Sequence, residues 1–448
     1  MKDLHSHQNC LLMKIRIILP LLLLVGTVYS QQSTLSMQIK PRAEFRNGYV
    51  TLPEKDDEAS FHVNNRVRLQ FGYTSKRVDV VVQPQYVYVW GQNRFNAVDE
   101  SAFGMHQAYA QMNLYGKGID SSHNLELLAF RIGRQELNFD GGRILSNLDW
   151  APQGIKHDAA IFLLKNNGWT VHAGGGFNQD GPRIFGTEFN GNMYKSFQMV
   201  RVNKKTKSFN GSLLFFKEDF QNFTPPDSTG LIVADGVNSK INAGTYLNYA
   251  INDKLSFAAE YYAQFGKNSD GRDNNAYVFN ATIIGKVANG KVIIAPGVDI
   301  ASGNDGLNTT DSVNRFFMPT YGINHKFYGF MDYFYTISPF GNAGLKDFHI
   351  RNTFMINPKW NTGFHIHYFM TAENINDELN LGTAANPYLG TEFDFVVNYA
   401  FTSEAKLQFG ACYMTASSTM QQIKNVGQDS RTNGVFSYLQ FMFTPKFL

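Results

Sequence analysis

The chain is short of several features that common functions depend on, and each shortage narrows what it can be. Its 448 residues include two cysteines, Cys10 and Cys412. Cys10 falls in an N-terminal leader, so the mature chain keeps a single thiol. That excludes an internal disulfide and argues against a thiol-bridged metal site. Beyond Ser30 no stretch approaches the roughly 18 to 20 apolar residues that a membrane-spanning helix needs. The formal net charge is only +3 and no block of Lys or Arg occurs, so nothing invites nucleic acid. A Gly-x-Ser-x-Gly elbow and a His-Glu-x-x-His helix are both missing. An enzyme would need a triad assembled across separate strands.

What is present begins with the leader. Met13, Lys14 and Arg16 form a short positive region ahead of the apolar run Ile17 to Val28 and the small-residue end Val28-Tyr29-Ser30. This is the pattern of a secretory signal, with residues 1–30 removed and 31–448 forming the mature chain. Met13 is the better start, because Asp3, His5 and His7 do not fit a positive region.

The mature chain opens on a strict alternation. Met37, Ile39, Ala43 and Phe45 interleave with Gln38, Lys40, Arg42, Glu44 and Arg46. Phe61, Val63, Val67, Leu69 and Phe71 interleave with His62, Asn64, Arg66, Arg68 and Gln70. Successive strand side chains point to opposite faces, so these strands carry one apolar and one charged face. The same period runs through Trp169–Phe177, Leu255–Phe265, Trp360–Tyr368 and Phe393–Phe401. With 38 Phe and 22 Tyr, the chain has the rings that membrane barrels place at both interfaces.

Breaks between strands fall into two alternating classes. Short polar turns lie at Ser75–Arg77, Asn166–Gly168, Asn203–Lys207, Asn252–Lys254, Ala288–Gly290, Asn357–Lys359 and Thr402–Glu404. Longer polar stretches lie at Asn47–Ala59, Gly91–Gly104, Asn178–Asn192, Phe220–Ser239, Gly266–Asn275, Ser302–Asn314, Thr371–Pro387 and Ser417–Asn433. Segment counting gives about 20 strands, each long enough to span. The expected fold is all-β: one transmembrane antiparallel β-barrel of about 18–20 strands, with short periplasmic turns and long extracellular loops. The aromatic last strand, Val435 to Phe443, fits the same outer-membrane setting.

One segment is chemically dense. It runs Phe130-Arg131-Ile132-Gly133-Arg134-Gln135-Glu136-Leu137-Asn138-Phe139-Asp140, followed by Arg143, Leu145, Trp150, Gly154 and His157-Asp158-Ala159-Ala160. Together with Arg46-Asn47-Gly48-Tyr49 and Asn65 to Tyr73, it resembles the alginate export family of outer-membrane barrels. The likeness is specific from Gln38 to about Leu164. It departs from the family pattern at Ile155-Lys156-His157, where an Arg is expected. The resemblance implies an 18-stranded barrel with a basic pore and an acidic sugar as its solute.

If the apolar face is the outer one, Lys40, Arg42, Glu44, Arg46, Arg66, Arg68, Arg131 and Arg134 are candidates for the pore wall. Rings of Lys and Arg make an anion pathway. The alternative is that these charges pair with each other and stiffen the wall. Glu136, Asp140, Arg143, Lys156 and Asp158 are candidates for a charge network at one rim, either touching solute or clamping a loop folded into the barrel. His365 and His367 share one face, but without an evident third ligand they read as polar lumen residues. Asn268–Asn274 looks a little like a calcium loop yet lacks the bidentate Glu.

The expected function is a passive outer-membrane channel for alginate or a related acidic oligosaccharide. No catalytic residues, metal or cofactor are expected. Partners would be outer-membrane lipid, the acidic polysaccharide and a periplasmic export partner. The alternatives are a plugged barrel that binds or adheres at the surface and, further off, a barrel enzyme.

Overall fold

Alternation along the first hairpin sets the geometry of the whole molecule. In the computed structural model, which describes residues 32–92, 103–116, 119, 125–191, 193–223, 234–308, 310–318, 321–335 and 342–448, Phe61, Leu69 and Phe71 lie exposed while Arg66 and Arg68 are buried. The leader expected at residues 1–30 lies outside the described residues.

The strands are β1 (Gln32–Ile39), β2 (Arg42–Asn47), β3 (Ser60–Thr74), β4 (Val78–Val89), β5 (Phe103–Gly116), β6 (Leu127–Gln135), β7 (His157–Asn166), β8 (Trp169–Phe177), β9 (Ser196–Lys205) and β10 (Phe209–Phe223). They continue as β11 (Ala234–Ala250), β12 (Leu255–Lys267), β13 (Asp273–Val287), β14 (Val292–Ala301), β15 (Leu345–Asn357), β16 (Trp360–Met370), β17 (Tyr388–Ala400), β18 (Ala405–Ala416) and β19 (Asn433–Phe443). All pair antiparallel with their chain neighbours, and β19 closes the ring by pairing with β2 and β1.

β1 and β2 are one barrel strand. Ile39 pairs with Val67 and Arg42 with Asn64, so the register against β3 runs through unchanged. Lys40 and Arg66 also exchange backbone hydrogen bonds. Only Pro41, which has no N–H to donate, interrupts the ladder. The closed barrel therefore has eighteen strands, the lower end of the expected range. Among the described residues, the aromatic chain between Arg315 and Gly344 adds no wall. It belongs to the β14–β15 connection, which reaches far beyond the expected Ser302–Asn314 loop.

Short turns and long connections alternate as expected, apart from the ten-residue connection between β5 and β6 on the short-turn side and the five-residue hairpin 268–272, where Asp270 accepts a bond from Arg272. The expected long stretch Phe220–Ser239 is shorter than read, because β10 runs to Phe223 and β11 starts at Ala234. Among the described residues no helix is long and apolar enough to cross a membrane.

The lumen is not simply wet. The β6–β7 connection (136–156) and the β14–β15 connection fold inward and bury Leu137, Ile144, Leu145, Phe316, Phe317, Tyr321, Phe327, Tyr328, Met331 and Phe334. They pack on inward apolar residues of the wall, among them Phe197, Met199, Phe216, Tyr262 and Val278. On that side both faces of a strand are apolar, one turned to the loops and one to the exterior.

Candidate functional site

Eighteen strands enclose a lumen, and one wall of it is basic. The alternation of β1, β2 and β3 carries Lys40, Arg42, Arg46, Arg66 and Arg68 inward. Side chains two apart on a strand are about 7 Å apart, so they form a ladder down the wall. Arg46 stands at the long-loop end, then Arg42, then the paired level of Lys40 and Arg66, then Arg68.

The upper rungs are partly neutralised. Glu44, fully buried, accepts from Arg42 Nε at 2.6 Å and from Arg46 Nε at 2.8 Å. The reading that charges pair to stiffen the wall holds for these three. Arg68 donates to Gln85 Oε1 at 2.6 Å and lies 3.6 Å from Glu136. Glu136 also meets His106 Nε2 at 2.8 Å.

The middle rungs are held by a residue that the sequence did not single out. Asp149, on the β6–β7 connection, takes Lys40 Nζ on Oδ2 at 2.9 Å and Arg66 on Oδ1 at 2.5 Å. It is nonetheless 44 % exposed, because its carboxylate faces open lumen. Burial alone would raise its pKa, but Lys40 and Arg66 outweigh burial and hold it below the usual range. Next to it the Trp150 indole is sandwiched between the Arg42 guanidinium, 3.8 Å from the ring centre, and the His325 ring at 3.7 Å. Gly154, at φ +61°, lets the same connection pass against Arg68 and His106, where a Cβ would collide with both.

Asp149 and Trp150 divide the space along the ladder. On the long-loop side lies a cavity of about 470 Å³ bordered by Arg42, Arg46, Tyr49, His62 and Asp332. On the short-turn side lies one of about 310 Å³ bordered by Gln38, Arg68, Gln70, Gln83 and Lys446.

The other expected residues scatter. Arg131 faces inward, donating to Gln111 at 2.7 Å and covering the Tyr109 ring. Arg134 does not face the lumen: it shares the side of β6 that carries exposed Ile132, and pairs at 2.8 Å with Asp158 on the outer face. The parity of the strand, with Gln135 turned inward, puts Arg134 outside. Nor do Glu136, Asp140, Arg143, Lys156 and Asp158 form one rim network. Asp140 reaches across to Arg201 and Ser212 at 2.6 Å each. Arg143 is bound to Glu260, Asp299 and the Tyr328 hydroxyl. Lys156 is half-buried just before β7, where burial and then Arg134 and Arg68 depress its pKa. These contacts match the loop-clamp reading for Asp140 and Arg143.

No protein-family model matches the chain, and no curated protein matches it in sequence. Solved structures do resemble its fold. OpdQ of Pseudomonas aeruginosa superposes with a TM-score of 0.58 at 14% identity, covering 93% of this chain and 98% of its own. OpdL of the same organism gives 0.60 at 11% identity, covering 93% and 99%. The P. aeruginosa outer membrane protein OpdK, solved with vanillate, gives 0.56 at 8% identity, covering 92% and 99%.

Proposed function

We propose that this eighteen-stranded barrel sits in the outer membrane and passively conducts an anionic solute along its basic wall. A belt of outward Phe, Tyr and Leu around a closed sheet suits hydrocarbon, which tolerates no open strand edges. The observation that carries the solute class is Asp149. A carboxylate supplied by the chain itself occupies the Lys40–Arg66 rung while still facing open lumen. A passing carboxylate would find the same two cations, with Arg42 and Arg68 on either side. Conduction needs such binding to be weak enough to leave.

The resemblance of Gln38 to Leu164 to alginate exporters favours an acidic oligosaccharide. Vanillate on OpdK is likewise a carboxylate. A periplasmic partner that delivers the sugar belongs to the same reading, as does export through the leader at residues 1–30. One observation favours a second reading, a plugged barrel that binds at the surface: two connections bury an aromatic core within the lumen.

Single-channel recording of the mature protein in planar bilayers, with a salt gradient and added uronate oligomers, separates the two. Anion preference with block by the oligomers supports the channel. A folded barrel that passes no current overturns it in favour of the plug.

The Asp149→Asn variant should gain anion preference, roughly three- to tenfold, because the rung loses its resident charge. An unchanged reversal potential would remove Asp149 from the pathway. The wild type should show the same gain with acid. The two cations hold the Asp149 pKa low, so its ion pairs persist as pH falls from 7 to the ordinary carboxylate range. Only below that range does Asp149 take up a proton and free the rung. A rise in anion current already near pH 5 would contradict this assignment.

A further inference from the structure

A stretch of wall a few strands from the ladder, reached through β18 and β19, holds a cluster that the channel does not explain. Asp347 and His349 project inward from β15, His365 and His367 from β16, and Glu392 and Asp394 from β17. Register makes them neighbours: His349 pairs with His367, His365 with Asp394, His367 with Glu392, and Asp299 of β14 with Asp347. Asp347, His349, His367, Glu392 and Asp394 are all nine-tenths or more buried.

Two facts set this cluster apart from an ordinary ion-pair network. First, among the described residues no Lys or Arg lies within 4.0 Å of Asp347, Glu392 or Asp394. Arg143 is committed to Glu260 and Asp299, and Arg351 donates to the Phe327 carbonyl at 2.7 Å and lies 3.9 Å from Asp299 Oδ2. Buried carboxylates without a counter-charge are costly. Second, neither ring nitrogen of His349 has a hydrogen-bond partner, nor do Asp347 Oδ1, Glu392 Oε2 and Asp394 Oδ1.

The distances around His349 suit a metal better than hydrogen bonds. His349 Nδ1 stands 3.4 Å from Asp347 Oδ2 and 3.4 Å from Asp299 Oδ2. That is long for a hydrogen bond, yet it is close to the edge of a tetrahedron of ligands about 2 Å from zinc, roughly 3.3 Å. His367 Nδ1 is hydrogen-bonded to Asp347 Oδ2 at 2.8 Å, a contact that an ion between them would replace, and one ligand atom each from Asp347, His349 and His367 fits within 4.8 Å.

We propose that Asp347, His349 and His367 bind one divalent transition-metal ion of the zinc class on the lumen wall. Asp299 Oδ2, 3.4 Å from His349 Nδ1, borders the set but already accepts from Asn280 at 3.1 Å, which leaves the remaining position to water. Asp394 lies behind the His367 ring, 4.0 Å from Nε2. The lumen loop caps the patch: Met331 N donates to Glu392 at 2.8 Å and Phe330 N to Asp394 at 3.3 Å. Gly329, at φ +79°, makes the approach possible, since a Cβ there would overlap the Glu392 carboxylate. The ion would join adjacent strands and cancel negative charge on that stretch of the wall. This inference is independent of the solute.

The test uses the full mature chain, folded in detergent, without a histidine tag and stripped with chelator. Titration with cobalt(II) chloride should give one saturating equivalent with the intense visible bands of tetrahedral cobalt, displaced by zinc chloride. His349→Ala and Asp347→Asn should each weaken binding on the order of 100-fold. Absence of a saturable band in wild type, or a band kept in both variants, overturns the proposal. Should the variants fail to assemble, zinc absorption fine structure of the wild type decides. Two imidazoles in the shell support the site, and fewer refute it.

Discussion

Replacing Arg143 by Gln should release the lumen loops while leaving the barrel closed. Arg143 is almost wholly buried and joins the β6–β7 connection to Glu260 on β12 and Asp299 on β14, with Tyr328 of the β14–β15 connection at 3.0 Å and the Phe327 ring 3.9 Å from its guanidinium carbon. Glutamine keeps some volume but no charge, so two buried carboxylates lose their partner. Removing one side of such a cluster costs about 3–5 kcal/mol. The continuous backbone ladder of the wall does not depend on this contact. The expected result is a folded barrel, still resistant to unfolding by detergent at room temperature. Its conductance should be larger and noisier, and protease should cut between residues 136 and 156 where wild type is resistant. Unchanged current and unchanged digestion would show that the aromatic core holds the loops without Arg143.

The second large effect concerns charge sign. Along the ladder five cations, Lys40, Arg42, Arg46, Arg66 and Arg68, face three carboxylates, Glu44, Glu136 and Asp149. Changing Arg42, Arg66 and Arg68 to Gln leaves two cations against three carboxylates. The wall should therefore pass from net positive to net negative, and the channel should change from anion to cation preference. Focusing of the field by low-dielectric walls makes such a change worth on the order of tenfold in relative permeability. The measurement is the sign of the reversal potential under a salt gradient, with uronate block lost alongside. A reversal potential that keeps its sign would place the current path away from β1 to β3.

The same contacts show why the sequence disclosed some features and hid others. β1, β2 and β3 were readable because one face meets the exterior and the other meets water and charge, which forces period two on Phe61 to Gln70. The inward positions of Arg66 and Arg68 follow from that period alone. In β7, β9 and β10 the inward face packs against loops, so Ile161, Phe197 and Phe216 are as apolar as their outward neighbours, and parity leaves no trace. Arg134 was misplaced for a related reason: its charge suggested the lumen, but it sits at a strand end where an exposed ion pair with Asp158 is tolerated on the outer face.

Asp149 was invisible because its partners lie more than 80 residues away. The rest of the proposed site around His367 was hidden likewise. It comes from adjoining strands, and only the pairing of β15 with β16 brings Asp347 and His349 alongside. The lumen loop between Ser302 and Gly344 could not be told from wall, since both are rich in aromatic residues.

Pro41 has a mechanical consequence. The first and last strands meet through Arg42–Asn47 on Val435–Gln440, and the same register carries on through Ile39 with Phe443 and Ser36 with Lys446, with Met37 N bonded to the Pro445 carbonyl and Phe447 N to that of Leu35. An interior joint such as β10 with β11 is bonded from Phe209 to Phe223. The missing donor at residue 41 falls inside the closing joint, where Phe441 N donates to the Pro41 carbonyl and receives no bond in return. A load applied between the two chain ends, which both emerge on the short-turn side, would therefore part this joint first. The remaining hairpins would then peel away in order, and the tube would unroll from its own closing edge.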